Sequence, residues 1–179
     1  MSKAVMLSIR PKWCEKIANG EKTIEVRKTR PKLDTPFKCY IYCTQPRYPH
    51  EDYIETDYPK PQFYGGGKVI GEFMCYATIP ISVEYSDPSH RMAQRDFPFT
   101  GMTDKQIIDY LGNGKMGYGW HISDLKIYDK PRELREFKKS NRDCFYADLG
   151  LAKRDCPDCK NSECFLERPP QSWCYVDEG

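Results

Sequence analysis

No apolar run in this chain approaches the ~20 consecutive residues that a membrane-spanning helix requires. Nor does the opening segment Met1-Ser2-Lys3-Ala4-Val5-Met6-Leu7 carry the long apolar region and small-residue cleavage site of a secretory signal. These two absences lead us to expect a cytoplasmic protein. Histidine is scarce, at three residues, and none forms a paired-histidine metal motif. No Ser-His-Asp grouping points to a hydrolytic triad. Strand and helix signals never alternate as repeated βαβ units, which argues against a doubly wound parallel sheet.

What is present is a chain of 179 residues, 39% hydrophobic and 30% charged. That is enough for one well-buried core and suits a single domain carrying loop insertions. The net charge of +2 hides an asymmetry: residues 1–48 hold eleven Lys and Arg against four Asp and Glu, a local +7 that leaves the remainder at −5. A basic surface of this kind suits phosphate, because Coulomb attraction reaches about 10 Å at ordinary salt. A plain solvated face is the alternative.

The hydrophobic pattern predicts a strand over Lys3–Ile9, then a helix with Pro11 in its first turn and Asn19-Gly20 as its stop. Trp13 and Ile17 share that helix's inner face, which assigns Trp13 to the core. Alternation over Lys22–Lys28 predicts a half-buried strand, with Lys22, Ile24 and Val26 on one face and Thr23, Glu25 and Arg27 on the other. Phe37–Cys43 is a further strand. Residues 44–67 read as a long surface loop, and 68–85 as one long strand or two, with Pro80 marking a bend, an edge or a break. A second loop spans 86–101. Thr103 with Gln106 forms a capping box for a helix whose apolar face holds Ile107, Tyr110 and Leu111. Trp120–Tyr128 returns to strand character, Pro131–Lys138 suggests a short helix with Leu134 and Phe137 inward, and Ser172–Val176 closes the chain as a strand. The sum is an α+β fold, a mixed barrel with short flanking helices, in which closure would hide strand edges.

Nine cysteines without an export signal argue against a disulfide framework. Cys14, Cys39, Cys43 and Cys75 sit in apolar segments and read as core, as does Cys174 in the last strand. Cys156-Pro157-Asp158-Cys159 is a CxxC pair, with Cys164 five residues on and Cys144 twelve residues before. These four thiolates suit a structural Zn(II) site that folds a cysteine-rich insertion spanning about 140–168. A redox pair lacks the thioredoxin-like βαβ setting it normally needs. A loop of reduced, unliganded cysteines is the other competitor.

The segment Gly20-Glu21-Lys22-Thr23-Ile24-Glu25-Val26-Arg27 resembles the glycine-x-lysine-x-x-glutamate-x-arginine signature of ASCH domains. It stands in the matching context of strand, short helix and glycine turn, after Ser8-Ile9-Arg10-Pro11-Lys12-Trp13. Lys68-Val69-Ile70-Gly71-Glu72-Phe73 resembles that family's central strand. Tyr118–Ser123 and Pro169–Tyr175 look like a subgroup found in bacteria and their phages. The resemblance covers most of residues 1–131 and the final strand, and excludes the loops about 45–67 and 86–101 and the cysteine-rich insertion. It implies a PUA-like mixed β-barrel and an association with RNA or modified nucleobases. Some such relatives hydrolyse N4-acylated cytidines and others are described as ribonucleases. In the small amidohydrolases a threonine stands where this chain has Glu25, so that activity does not carry over directly.

If the glycine turn swings Lys22 toward Glu25 and Arg27 despite its opposite parity, the three meet in one cleft, where an arginine fork suits a phosphate or base edge and a carboxylate accepts from an exocyclic amine. Arg10 and Lys12 extend the basic rim, Trp120 is the stacking candidate, and His121 is read chiefly as a hydrogen-bonded structural histidine. The leading expectation is a binder of RNA or a modified nucleobase or nucleotide. The second is a hydrolase of acylated cytidine-type nucleosides or a ribonuclease, with Lys22 as base or nucleophile and Glu25 relaying protons. The third is a protein-interaction module working through the loops with a vestigial pocket. An exposed Glu25–Arg27 salt bridge of no functional weight is the plain structural alternative.

Overall fold

Strand β1 (Lys3–Ile9) is buried on both sides, which places it inside a sheet rather than at an edge. The structure, a computed structural model, describes residues 2–45, 53–55, 62–82, 99–140 and 165–178. After β1, α1 (Pro11–Ala18) and β2 (Ile24–Arg27) form the crossover that lets β3 (Phe37–Cys43) lie parallel to β1. Next come the short antiparallel pair β4 (Tyr53–Glu55) and β5 (Gln62–Tyr64), then β6 (Lys68–Cys75) and β7 (Thr78–Ser82). Helix α2 (Asp104–Leu111) precedes β8 (Met116–His121), β9 (Ser123–Arg132) and β10 (Trp173–Asp177).

Among the described residues the ladders define a five-stranded sheet, ordered β10-β1-β3-β6-β9, and a three-stranded sheet, β2-β8-β7. The chain passes between them at the β6–β7 corner and again at Ile122, where β8 hands over to β9. The result is the expected α+β mixed architecture. The two sheets meet through a shared core and not through one continuous ladder.

That core joins Val5, Leu7, Ile41, Ile70 and Phe73 of the large sheet to Cys14 and Ile17 of α1 and to Trp120. On the large sheet's other face Met6, Tyr40, Val69 and Val176 are covered by Leu134, Phe137 and Leu166. A third cluster packs Ile107 and Leu111 of α2 onto Val26 and Ile81 of the small sheet. Gly117 makes this contact possible, because a Cβ there would stand 2.5 Å from Leu111 Cδ2 and 2.9 Å from the Arg27 carbonyl. The α2 cap is the capping box read from the sequence: Thr103 Oγ1 accepts from the Gln106 amide, and the Gln106 side chain accepts from the Thr103 amide.

Several expectations change. Strand β2 is buried on both faces, not half-buried, because α2 covers one side and the chain closes over the other. The segment read as a loop over 44–67 holds β4 and β5. Residues 68–85 contain two strands, and Pro80 sits in β7, an edge strand, where its missing amide costs no ladder bond. Pro131–Lys138 is not a helix: β9 stays paired to Arg132, opposite Val69, which leaves room only for a 3-10 turn at Leu134–Glu136 before Lys138 bridges Phe165. Leu134 and Phe137 are nonetheless buried as expected.

Candidate functional site

The turn after α1 sets the site. Gly20 adopts φ +75°, a conformation glycine enters without steric cost, and the Lys22 amide bonds back to the Lys16 carbonyl. Lys22 therefore precedes β2 and escapes the strand's parity. Its side chain is 1% exposed, and Nζ donates to the carbonyls of Ile24 (2.8 Å) and Thr100 (2.6 Å) while lying 3.2 Å from Glu25 Oε2. Three acceptors thus meet the three protons of the ammonium. Burial lowers the Lys22 pKa from its ordinary value; the Glu25 carboxylate works against that shift and Arg27 adds to it.

Glu25 and Arg27 share a face of β2, as alternation predicts, but the pair is buried, not solvent-exposed. Glu25 Oε1 lies 3.0 Å from Arg27 Nη2, so the carboxylate sits between two cations. The guanidinium is held in turn by the Ser8 carbonyl (2.8 Å) and by Ser172, whose carbonyl and hydroxyl are each 3.3 Å away. Arg27 Nε is buried without a partner among the described residues. Removing one member of such an array leaves an uncompensated buried charge, a loss of about 3–5 kcal/mol.

These residues floor a cleft of about 560 Å³ whose lining includes Arg10, Lys12, Lys22, Glu25 and Arg27, five residues that the sequence placed together. Arg10 and Lys12 stand at the start of α1, whose first turn has no acidic residue. Cations there oppose the helix dipole by roughly 0.3–1 kcal/mol each, a placement that an arriving anion would relieve.

Two candidates are not part of the cleft. Trp120 is fully buried, edge-on to Phe37 at 5.7 Å and 5.9 Å from Trp173, so it has no free face for a base. Its cross-strand partner is Glu25, so it stands beside that residue on the adjoining strand. His121 is exposed at the end of β8, with Nδ1 2.8 Å from Ser123 Oγ, in keeping with its structural reading. Trp13 is half-buried: it packs against the main core cluster, as assigned, and also lines the cleft, with Lys12 Nζ 4.5 Å from its ring centre. The sequence reading missed Tyr110, Gln106 and Asp109 of α2 and the segment Pro169–Ser172. Tyr110 looked like a core residue because it falls at helical spacing, and nothing local signals that α2 forms a wall.

Cys14, Cys39, Cys43 and Cys75 are free and buried, as assigned, and Cys174 is half-buried against the second cluster. Cys144, Cys156, Cys159 and Cys164 lie outside the described residues, as do most of the loops assigned to a protein partner. Among the described residues no group of three or more His, Cys, Asp or Glu is arranged to hold a metal, and no helix is long and apolar enough to cross a membrane.

No protein-family model and no curated protein matches the sequence. Solved structures do match the fold. The ASCH protein of Zymomonas mobilis superposes with a TM-score of 0.59 at 16% identity, covering 98% of this chain and 88% of that one. A tyrosine-to-phenylalanine variant of that protein gives 0.59 and 16%, covering 99% and 92%. A serine-to-alanine variant gives 0.58 and 16%, covering 98% and 89%. The chain therefore has the fold of an ASCH domain over nearly its whole length.

Proposed function

We propose that the cleft recognises a nucleobase, carried by RNA or by a modified nucleotide, with Glu25 reading the base edge. The observation that carries this reading is the buried Lys22–Glu25–Arg27 array on the floor of an open cleft. Each Glu25 oxygen accepts from one cation and keeps lone-pair capacity, so the carboxylate offers acceptors only and selects N–H groups on its ligand. Trp13 and Tyr110 in the lining supply aromatic surface, where stacking contributes about 1–3 kcal/mol per base. The volume falls in the ordinary range for small-ligand sites. Arg10 and Lys12 supply charge for phosphate. The ASCH-like fold is in keeping with this role, and a cytoplasmic setting, where such ligands abound, is part of the proposal.

The second reading is hydrolysis of an acylated cytidine-type nucleoside or of RNA. The lowered pKa of Lys22 beside Glu25 favours it. Against it, Lys22 is 1% exposed and all three ammonium protons are engaged, so nucleophilic or basic action requires one proton and one of these partners to be given up before a lone pair can face the cleft. Chromatographic turnover assays and calorimetry on one panel of natural and N4-acylated nucleosides, nucleotides and short RNA separate the readings. Saturable binding with substrates intact, weakened in Trp13→Ala, is the expected result. Product formed by wild type and lost in Lys22→Ala would transfer the assignment to an enzyme.

A further inference from the structure

Beyond β2 the chain carries three exposed cations, Lys28, Arg30 and Lys32, around the buried Pro31. Four aromatic residues fasten this segment beside the cleft. Lys28 Nζ lies 5.5 Å from the ring centre of Tyr110, a wall of the cleft, and Arg30 Cζ lies 5.5 Å from that of Tyr118, the cross-strand partner of Arg27. The Lys32 amide donates to Tyr175 Oη (2.8 Å), and Trp173 Nε1 donates to Thr29 Oγ1 (3.1 Å). Arg10 and Lys12, also exposed, line the cleft from the start of α1, while Lys28, Arg30 and Lys32 stand outside it and reach it through Tyr110. Among the described residues none of these five cations is paired with a carboxylate, whereas Lys16, Lys38, Lys68, Lys105 and Arg132 are.

A free nucleotide carries its phosphates on one side of its base, whereas these five cations stand on two elements, of which only Arg10 and Lys12 line the cleft itself. We propose that the ligand is a single strand of nucleic acid whose backbone crosses the mouth of the cleft. Phosphates on one side contact Lys28, Arg30 and Lys32, those on the other contact Arg10 and Lys12, and one unstacked base enters between them. Cations interleaved with aromatic rings are the ordinary means of holding a single strand, the charges following the backbone and the rings contributing stacking. This inference rests on the cleft reading above and adds the class of ligand and the residues that hold its backbone.

The test compares nucleoside monophosphates, a single strand of about nine nucleotides as RNA and as DNA, and the corresponding blunt duplex. Each is titrated at salt from about 50 to 200 mM against wild type and the exposed triple variant Lys28→Gln/Arg30→Gln/Lys32→Gln. The strand is expected to bind more tightly than any monophosphate. The triple variant is expected to weaken strand binding roughly tenfold or more and to reduce the salt slope by about 2, at ~0.7 per lost phosphate contact, with monophosphate affinity and melting temperature unchanged. Monophosphate binding with no gain for the strand and no effect of the triple variant would overturn this inference and leave the cleft reading standing. Duplex bound as tightly as single strand would overturn it as well. Strand binding that falls in the triple variant, without any monophosphate binding, would uphold the strand surface and remove the cleft reading. No binding of either ligand would overturn both.

Discussion

Two tryptophans show how far a single residue's role depends on what packs around it. Trp13 reaches from the core into the cleft, while Trp120, the cross-strand partner of Glu25, is sealed, the reverse of what its neighbours in sequence suggest. The run Gly112–Gly119 ahead of Trp120 has the composition of an exposed turn, yet one of its glycines, Gly117, serves close packing by α2, a contact that exists only once the helix has docked. The two residues are predicted to respond differently to truncation. Trp120→Ala should cost about 3–5 kcal/mol of stability in denaturant melts, as for a fully buried aromatic. Trp13→Ala should weaken ligand binding by about 1–3 kcal/mol by calorimetry, with a smaller loss of stability. For Lys22, Lys22→Met should lower stability by roughly 3–5 kcal/mol, because Glu25 loses one cation and the Thr100 carbonyl loses its donor. The Glu25–Arg27 pair was legible from strand parity, and Lys22 joined it through the glycine turn despite its opposite parity. The anchor of Lys22 was not legible, since it is a carbonyl 78 residues away.

At the scale of elements, those whose signals are local were the ones the sequence revealed. The α2 capping box, the Pro11 start of α1 and the β3 run all lie within a few residues of their cause. The segment Pro131–Lys138 has helix-compatible spacing, but pairing of Arg132 with Val69 takes its first turn, and no local pattern records that partner. Burial of both β2 faces likewise follows from α2 and from the Ser172 segment, both remote in sequence. Helix α2 therefore matters to the site as a wall, held by contact with Gly117. Gly117→Ala should destabilise the protein by about 1–3 kcal/mol, because the added methyl meets backbone at Arg27 as well as the Leu111 side chain. It should also loosen ligand binding through Tyr110. Thermal melts and titrations on the same samples measure both effects, and a variant equal to wild type in each would contradict the packing argument.

For the whole molecule, the stability of the assembled core should fall in alkali. Burial raises the thiol pKa of Cys14 and Cys39 well above the ordinary 9.0, and that of Cys75 to about 11. Groups raised in the folded state hold protons that the unfolded chain releases, so their contribution is complete below about pH 9 and is lost as pH rises through the folded values. Lys22, shifted downward, acts in the opposite sense. Denaturant midpoints from pH 8 to 11 should therefore decline, and Cys75→Ala should decline less steeply over the same window. The cysteine-rich segment carries its own prediction: elemental analysis of purified protein should find about one zinc per chain, absent from Cys156→Ser/Cys159→Ser. Metal-free wild type would refute that assignment. The central claim is that Glu25 reads a base edge in the cleft, and the most direct measurement is the affinity of wild type and Glu25→Gln for single strands differing only in one base. Wild type should favour a base with an amino group over uracil, whose single N3–H lies between two carbonyls that face a carboxylate unfavourably. Glu25→Gln, checked for folding, should lose that preference at a cost of about 1.5–3 kcal/mol for the favoured base. The same ranking and the same affinities in a folded Glu25→Gln would contradict the account.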